Sequence, residues 1–454
     1  MANGQLLHLL TARAESKNPL RVGLIGTGKF GTMFLAQARR VAGLHVLGVA
    51  DLSLHRAREA LRRAEWPPEQ FAASHCDHAL KTGATFLTDD GDALIRADGL
   101  DVLVEATGNP LAGIHHALQA IEHGRHLVMV NVEADVLVGP LLAQRAASAG
   151  LVYTLAYGDQ PALICELVEW AQTNGFDIVC AGKGTKYRPA YHTSTPDTVW
   201  EHYGFDAETV AEGDLNPRMF NSFLDGTKSA IEMAAVSNAT GLNPQPEGLK
   251  FPPCGIDQLP DVCRPHSDGG QLSHKGTVEV VSSLQRDGTP VDRDLRWGVY
   301  VTIEAPGDYI RRCFSEYGLP TDSTGRYTAI YRPYHLVGME LTTSVLRAGL
   351  RGEASGAPVV FNADVVATAK RDLSQGEVLD GEGGYRVYGK LIPSDQARTS
   401  NTLPIGLAHN LKLKHKIAAG QPIHQSDVEL DENNAILRLR REMIQCFATT
   451  KKPR

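Results

Sequence analysis

Residues 21–31 read Arg-Val-Gly-Leu-Ile-Gly-Thr-Gly-Lys-Phe-Gly, a short apolar run that breaks into Gly26, Gly28 and Gly31 and leads into the helical pattern Met33, Phe34, Ala36, Gln37, Ala38. Few folds use this order. Gly26 permits a tight turn, Gly28 lets the backbone approach a pyrophosphate, and Gly31 lets the helix pack on the strand. The helix N-terminus then offers free N–H groups and a positive dipole end to the phosphates. Lys29 and Phe30 lie in the same turn. A second apolar run, His45 to Ala50, ends at Asp51, twenty residues after Gly31. An acid at that place hydrogen-bonds ribose hydroxyls. The pattern predicts an N-terminal doubly wound α/β domain that binds a dinucleotide. Asp51 argues for NAD because a carboxylate repels a 2′-phosphate. Arg56, five residues on, is placed to pair with one, so NAD and NADP both stay open.

Three further apolar runs end in polar loops: Asp101–Glu105 before Thr107, Gly108 and Asn109; His126–Val130 before Asn131, Glu133 and Asp135; Leu151–Ala156 before Asp159 and Gln160. Open α/β sheets bind ligands at such carboxyl ends. Thr107, Gly108 and Asn131 are therefore expected at the cofactor, whereas Asp135 and Asp159 read as capping or loop solubility.

The remaining length constrains the rest. A chain of 454 residues exceeds one hydrophobic core, and 43% hydrophobic with 21% charged residues is ordinary for globular domains. A net charge of -7 without a basic block disfavours a nucleic-acid partner. No apolar run reaches the ~18 residues that span a bilayer. Residues 5–16 read as a short amphipathic helix rather than a signal segment, and a cytoplasmic location is expected. The seven cysteines are widely spaced without a CxxC, which speaks against a zinc ribbon or disulfide framework, although Cys254 and Cys263 flank a Pro-rich loop and could pair.

In the middle of the chain an apolar strand, Phe176–Ala181, precedes Lys183, Lys186, Tyr187 and Arg188, cations suited to a phosphate or carboxylate. Arg332, His335 and Glu340 lie among tyrosines before a helix expected over Leu341–Leu350. In Asp225–Asn238, helical spacing puts Lys228, Ile231, Glu232 and Ala235 on one face. A partly desolvated Lys228 oriented by Glu232 suits proton transfer. Toward the C-terminus, Lys370-Arg-Asp-Leu373-Ser-Gln-Gly376-Glu-Val-Leu379 aligns without gaps on Lys414-His-Lys-Ile417-Ala-Ala-Gly420-Gln-Pro-Ile423. Such repeated glycine turns favour small β units.

The strand ends at Thr107-Gly108 and Asn131 resemble the homoserine dehydrogenase superfamily, with Asn131-Val132-Glu133 where those enzymes usually carry Asn-Lys. In those enzymes a substrate-domain helix supplies a catalytic aspartate and lysine four apart. The resemblance implies that Asp225 and Lys228, three apart, are that element. The C-terminal repeat resembles the SAF β-clip module. Taken together, GTGKFGTMF (26–34), MVNVEAD (129–135), LSHKGTVEV (272–280) and RPYHLVGME (332–340) are similar to the deoxyxylulose phosphate reductoisomerase-like enzymes. That resemblance implies NADPH-linked conversion of 1-deoxy-D-xylulose 5-phosphate to 2-C-methyl-D-erythritol 4-phosphate, a step of isoprenoid precursor synthesis. Lys183, Lys186, Arg188, Arg332 and His335 would anchor the phosphate, and Lys228, Glu232 and Asp225 would be the acid–base group.

The expected architecture is therefore a Rossmann dinucleotide-binding domain (1–157), an α+β substrate domain (158–354), a β-clip module (355–445) and a tail (446–454). The expected ligands are NADP or NAD and a phosphorylated keto-sugar or hydroxy acid, with no nucleic acid, no membrane and a homodimer as the assembly. Conventional reductoisomerases use a divalent metal, but no metal-spaced cluster is visible and no metal site is expected. Two alternatives remain: a hydroxy acid or polyol dehydrogenase without rearrangement, and a non-catalytic NAD(P)H-binding sensor.

Overall fold

The computed structural model describes residues 5–213 and 215–447. The chain divides into two compact units. The first holds the described residues up to Leu163, with His335–Val359 and the helical residues from Leu439 on. The second holds Ile164–Tyr334 and Val360–Arg438.

The first unit is built on six parallel strands: β1 (Leu20–Ile25), β2 (Leu44–Ala50), β3 (Phe86–Thr88), β4 (Val102–Glu105), β5 (His126–Met129) and β6 (Tyr153–Leu155). Their order is β3-β2-β1-β4-β5-β6, that of a Rossmann sheet. The strands are almost continuously apolar because helices cover both faces of such a sheet, and Val22, Leu24, Val102, Val104 and Val128 are wholly buried. Helix Val132–Ser148 contains Pro140, which has no N–H for the Val136 carbonyl. Arg440, buried on helix Ala435–Phe447, donates to the Val136 and Leu137 carbonyls at 3.3 and 2.7 Å. The expected tail thus begins inside this helix; its residues 448–454 lie outside the described residues. The helix expected over Leu341–Leu350 is shorter, Thr342–Leu346, followed by a wider turn over Arg347–Arg351. Gly349 there packs so closely on Leu20 that a Cβ would lie 2.6 Å from its side chain.

The second unit contains a mixed sheet of β7 (Asp177–Thr185), β8 (Thr277–Ser282), β9 (Val299–Glu304) and β10 (Tyr327–Arg332), in the order β10-β9-β7-β8. Only β7 and β8 run parallel. Two smaller antiparallel pairs follow, β11 (Ala363–Ala369) with β13 (Val387–Pro393) and β12 (Val378–Asp380) with β14 (His409–Lys412). The internal repeat is visible in the backbone. Leu373 and Ile417, equivalent in the two copies, exchange hydrogen bonds of 2.8 and 3.0 Å. Gly376 and Gly420 both adopt left-handed φ, +84° and +76°, which a side chain would strain. Helix Thr227–Thr240 ties this region to the rest of the unit: Thr227 Oγ1 accepts from Gly389 N, and Asn238 Oδ1 accepts from Asn362 N and Ala363 N.

Candidate functional site

At the end of β1, Gly26 has φ +100°, and a Cβ there would lie 2.5 Å from the Ala106 carbonyl. A Cβ on Gly31 would lie 2.3 Å from the Gly26 carbonyl, whereas one on Gly28 would meet nothing within 4 Å. Two glycines thus serve packing, and the third faces open space. Gly28 caps helix Lys29–Ala38 without a side-chain bond to its first N–H groups, leaving them available to an anion. This cradle fits a dinucleotide pyrophosphate. Lys29 is exposed at its rim and Phe30 half-buried.

Asp51 ends β2 and braces the same turn. Its Oδ2 accepts from Thr27 N at 2.9 Å and Thr27 Oγ1 at 2.6 Å, and its Oδ1 accepts from Ser53 N at 3.0 Å. Burial alone would raise this carboxyl, but the bonds from Thr27 and Ser53 outweigh it and hold Asp51 below the usual range. It is a carboxylate at neutral pH, with lone pairs left for a ribose hydroxyl. Arg56 is exposed on the next helix. At the ends of β4 and β5, Thr107 Oγ1 donates to Glu105 Oε1 at 2.5 Å, and Asn131 Nδ2 donates to the Asn109 carbonyl at 2.8 Å. Gly108 takes φ +67° between them. Asn131 also caps helix Val132–Ser148 through Ala134 N. Each cofactor residue expected from sequence therefore lies at the carboxyl edge of β1, β2, β4 or β5 or on the helix that follows.

Asp135 departs from expectation. It is wholly buried and accepts from Tyr153 Oη at 2.8 Å, and burial pushes it up to about 7. A solvated loop acid would show neither property.

In the second unit, β7 runs past the expected end at Ala181, so Lys183 sits inside the strand opposite Val280. It is 3% exposed and donates to Glu232 Oε2, itself on a residue 1% exposed. Lys183 is thus a buried partner of Glu232 rather than an open phosphate anchor. Helical spacing paired Glu232 with Lys228; the structure brings Lys183 to it from 49 residues away. Lys228, one turn earlier, is half-buried. Asp225 is wholly buried, its Oδ1 accepting from Thr227 N at 2.9 Å and its Oδ2 2.7 Å from Lys370 Nζ. Burial raises its carboxyl against the pull of that ammonium. Lys370 also donates to the Ser194 and Gly384 carbonyls. Read from sequence, it stands out only as the first residue of the repeat.

Lys186 donates to the His202 carbonyl at 2.6 Å and lies over the Tyr203 ring. Burial, helped by Arg296, lowers its ammonium. Arg188 is half-buried. Arg332 ends β10 in the second unit, whereas His335 and Glu340 belong to the first, where Glu340 accepts from Leu336 N. Among the described residues no group of three or more His, Cys, Asp or Glu could hold a metal ion. None of their helices is long and apolar enough to cross a membrane.

Comparison with known proteins places two families along the chain. Residues 22–153 match the NAD-binding domain of homoserine dehydrogenase, and residues 158–341 match the catalytic domain described as Oxidoreductase DRL. No curated protein matches. Among solved structures, biliverdin reductase from Synechocystis sp. PCC 6803 is 19% identical over 37% of this chain and 48% of its own, with a TM-score of 0.24. A probable dehydrogenase from Thermotoga maritima is 12% identical over 74% and 90%, with a TM-score of 0.35. Myo-inositol dehydrogenase from Lactobacillus casei is 15% identical over 63% and 71%, with a TM-score of 0.34. The chain spans about half the length of the first structures it matches, and at these scores the likeness carries no argument. The two family matches do. The first is an NAD-binding domain, so the cofactor is NAD or NADP, and the second is an oxidoreductase catalytic domain.

Proposed function

We propose that this chain is an NAD(P)-dependent oxidoreductase that acts on a small phosphorylated keto-sugar and couples hydride transfer to a carbon-skeleton rearrangement, as a reductoisomerase of the 1-deoxy-D-xylulose 5-phosphate type. The observation that carries the oxidoreductase part is the match of residues 158–341 to the Oxidoreductase DRL catalytic domain; the rearrangement rests on the four segments that resemble reductoisomerase-like enzymes. A bound nicotinamide supplies the hydride. Gly26, Gly28, Gly31 and Asp51 would hold its dinucleotide, with Thr107, Gly108 and Asn131 bordering it.

Acid–base work belongs in this proposal to Lys228 and Glu232, with Asp225 at the start of their helix. Lys183 joins them, because its ammonium fixes the Glu232 carboxylate. Lys186, Arg188, Arg332, His335 and Glu340 remain candidates for the substrate's polar groups. The domain division at 157, 354 and 445, the SAF character of the repeat, homodimer assembly and a cytoplasmic location belong to the same proposal.

The test is product identification. The protein is incubated with NADPH and 1-deoxy-D-xylulose 5-phosphate, and the product is examined by NMR. A branched tetrol phosphate formed with cofactor oxidation supports the proposal. Cofactor oxidation with an unrearranged straight-chain product would make the chain a plain dehydrogenase.

A further inference from the structure

The ladder between β11 and β13 runs one residue beyond both strands, where Lys370 N donates to the Arg386 carbonyl at 2.8 Å. This step brings Lys370, Arg371, Tyr385 and Arg386 to one place. Thr193 and Thr195 come to it because Lys370 Nζ donates to the carbonyl of Ser194, between them, at 2.8 Å. These six residues line a cleft of about 540 Å³, within the roughly 300–1,000 Å³ of small-molecule sites. All six belong to the second unit. Lys186, Arg188, Arg332 and His335 do not line it.

The lining is three cations and three hydroxyls, without a carboxylate. The acids that pair with these groups lie outside it. Glu377 accepts from Arg371 Nη1 and Nη2 at 3.2 and 2.8 Å, and from Arg386 Nε at 3.3 Å. Asp380 accepts from Arg386 Nη1 at 3.4 Å, Asp197 accepts from Tyr385 Oη at 2.9 Å, and Asp225 Oδ2 lies 2.7 Å from Lys370 Nζ. Ser374 N, in the turn of the repeat, donates to Glu377 at 2.8 Å. Arg371, Ser374 and Arg386 draw the Glu377 carboxyl down to about 2 against its partial burial. Glu377 is therefore a carboxylate at any working pH and fixes both guanidiniums. Arg371 Nε and Arg386 Nη2 still have no protein partner among the described residues. Donors ordered in advance bind an anion with little further loss of side-chain freedom, and guanidinium forks match phosphate oxygens.

The internal repeat shows which part of this arrangement is special. Lys414 holds in the second copy the place of Lys370 in the first, and it is exposed. Lys370 is 5% exposed, with its ammonium on the Ser194 and Gly384 carbonyls and on Asp225. The backbone of the repeat does not require a buried lysine, and burying one costs hydration. In the first copy that ammonium ties residues 193–195 to the Gly384 turn, which carry Thr193, Thr195 and Tyr385 into the cleft.

We infer that this cleft binds a phosphate monoester. Arg371 and Arg386 hold the phosphate, and the hydroxyls of Thr193, Thr195 and Tyr385 meet the phosphate or the polar body attached to it. A phosphate ester offers three terminal oxygens to donors that converge from two guanidiniums and a hydroxyl; a carboxylate offers two. The cleft also has room beyond the phosphate for the rest of the ester. The site is complete within the second unit and stands whatever reaction the chain performs.

Titration calorimetry without dinucleotide tests the site on the parent, Arg371→Met and Arg386→Lys, with glycerol 3-phosphate, inorganic phosphate and acetate as probes. The parent should bind glycerol 3-phosphate saturably, at least about tenfold more tightly than inorganic phosphate or acetate. Both variants should bind the ester at least about tenfold more weakly, the scale of a lost hydrogen bond to a charged group; Arg386→Lys keeps the charge and loses the fork. Nitrogen NMR of the arginine side chains in the parent should show Arg371 Nε moving with the same midpoint. A parent that does not bind the ester, or ester binding that survives in both variants, overturns the site. Inorganic phosphate or acetate binding as tightly as the ester overturns the monoester assignment. If a variant does not fold, an Arg371 Nε signal unmoved by saturating ester in the parent overturns the site. No turnover is measured, so failure here leaves the proposed function standing, and a chain inactive on keto-sugars leaves this site standing.

Discussion

Asp51 and Asp135 are both aspartates in the Rossmann unit, and their surroundings send them in opposite directions. Asp51 gathers three hydrogen bonds from Thr27 and Ser53 and stays ionised at the end of β2, where a ribose-binding acid is expected. Its charge should repel a 2′-phosphate, and Arg56 should attract one. The NADH-to-NADPH affinity ratio should therefore move toward NADPH in Asp51→Ala and toward NADH in Arg56→Ala. Fluorescence titration of both cofactors reads this, and an unchanged ratio in both variants removes the two residues from the pocket. Asp135 has one donor, Tyr153, and no solvent. Its folded value of about 7 lies above the ordinary aspartate value of 3.8, so between those limits the folded chain holds a proton that the unfolded chain has lost. Stability from this group is full below about pH 4 and falls as pH rises toward 7. Asp135→Asn cannot lose that proton. Its melting temperature should rise relative to the parent from pH 4 to pH 7 and then level off. A flat difference across that range would mean that Asp135 is ionised in the fold.

At the scale of elements, helix Thr227–Thr240 carries the most. It presents Glu232 to Lys183 of β7, takes Gly389 of β13 on Thr227, and starts from an Asp225 that is paired with Lys370. Removing one partner of a buried pair leaves the other charge uncompensated. Glu232→Gln should cost on the order of 3 kcal/mol of unfolding free energy, measured by urea denaturation; a loss below about 0.5 kcal/mol, the scale of exposed helix pairs, would contradict the buried pairing. Periodicity found this helix because its spacing is local, and it found Lys228 as the neighbour of Glu232 for the same reason. It could not find Lys183, since no local rule links a strand residue to a helix 49 positions on. The repeat was legible because its glycines must adopt left-handed φ, and Gly376 and Gly420 both do. The 2.9 Å contact of Tyr187 Oη with His192 Nε2 was not legible, because it depends on the short turn Pro189–Thr193 folding one residue back on the other. Strand β3, three residues long, is too short to show any period.

At the scale of the molecule, the glycine turn and the strand ends after it announced the first unit, because a parallel sheet writes its strands as apolar runs and its ligand edge as polar loops. The second unit is a mixed sheet whose strands return from loops of many lengths, and composition says little about such a sheet. In the proposed function the first unit holds the dinucleotide and the second carries the proton transfers. Calorimetric titration of NADPH into the parent, Gly28→Val and Lys228→Met tests that division, with turnover measured on the same samples. Lys228→Met should bind like the parent and turn over roughly 10²–10⁴-fold more slowly, and a folded Gly28→Val should bind at least about tenfold more weakly, some 1.4 kcal/mol. A folded Gly28→Val that binds NADPH as tightly as the parent would contradict this division.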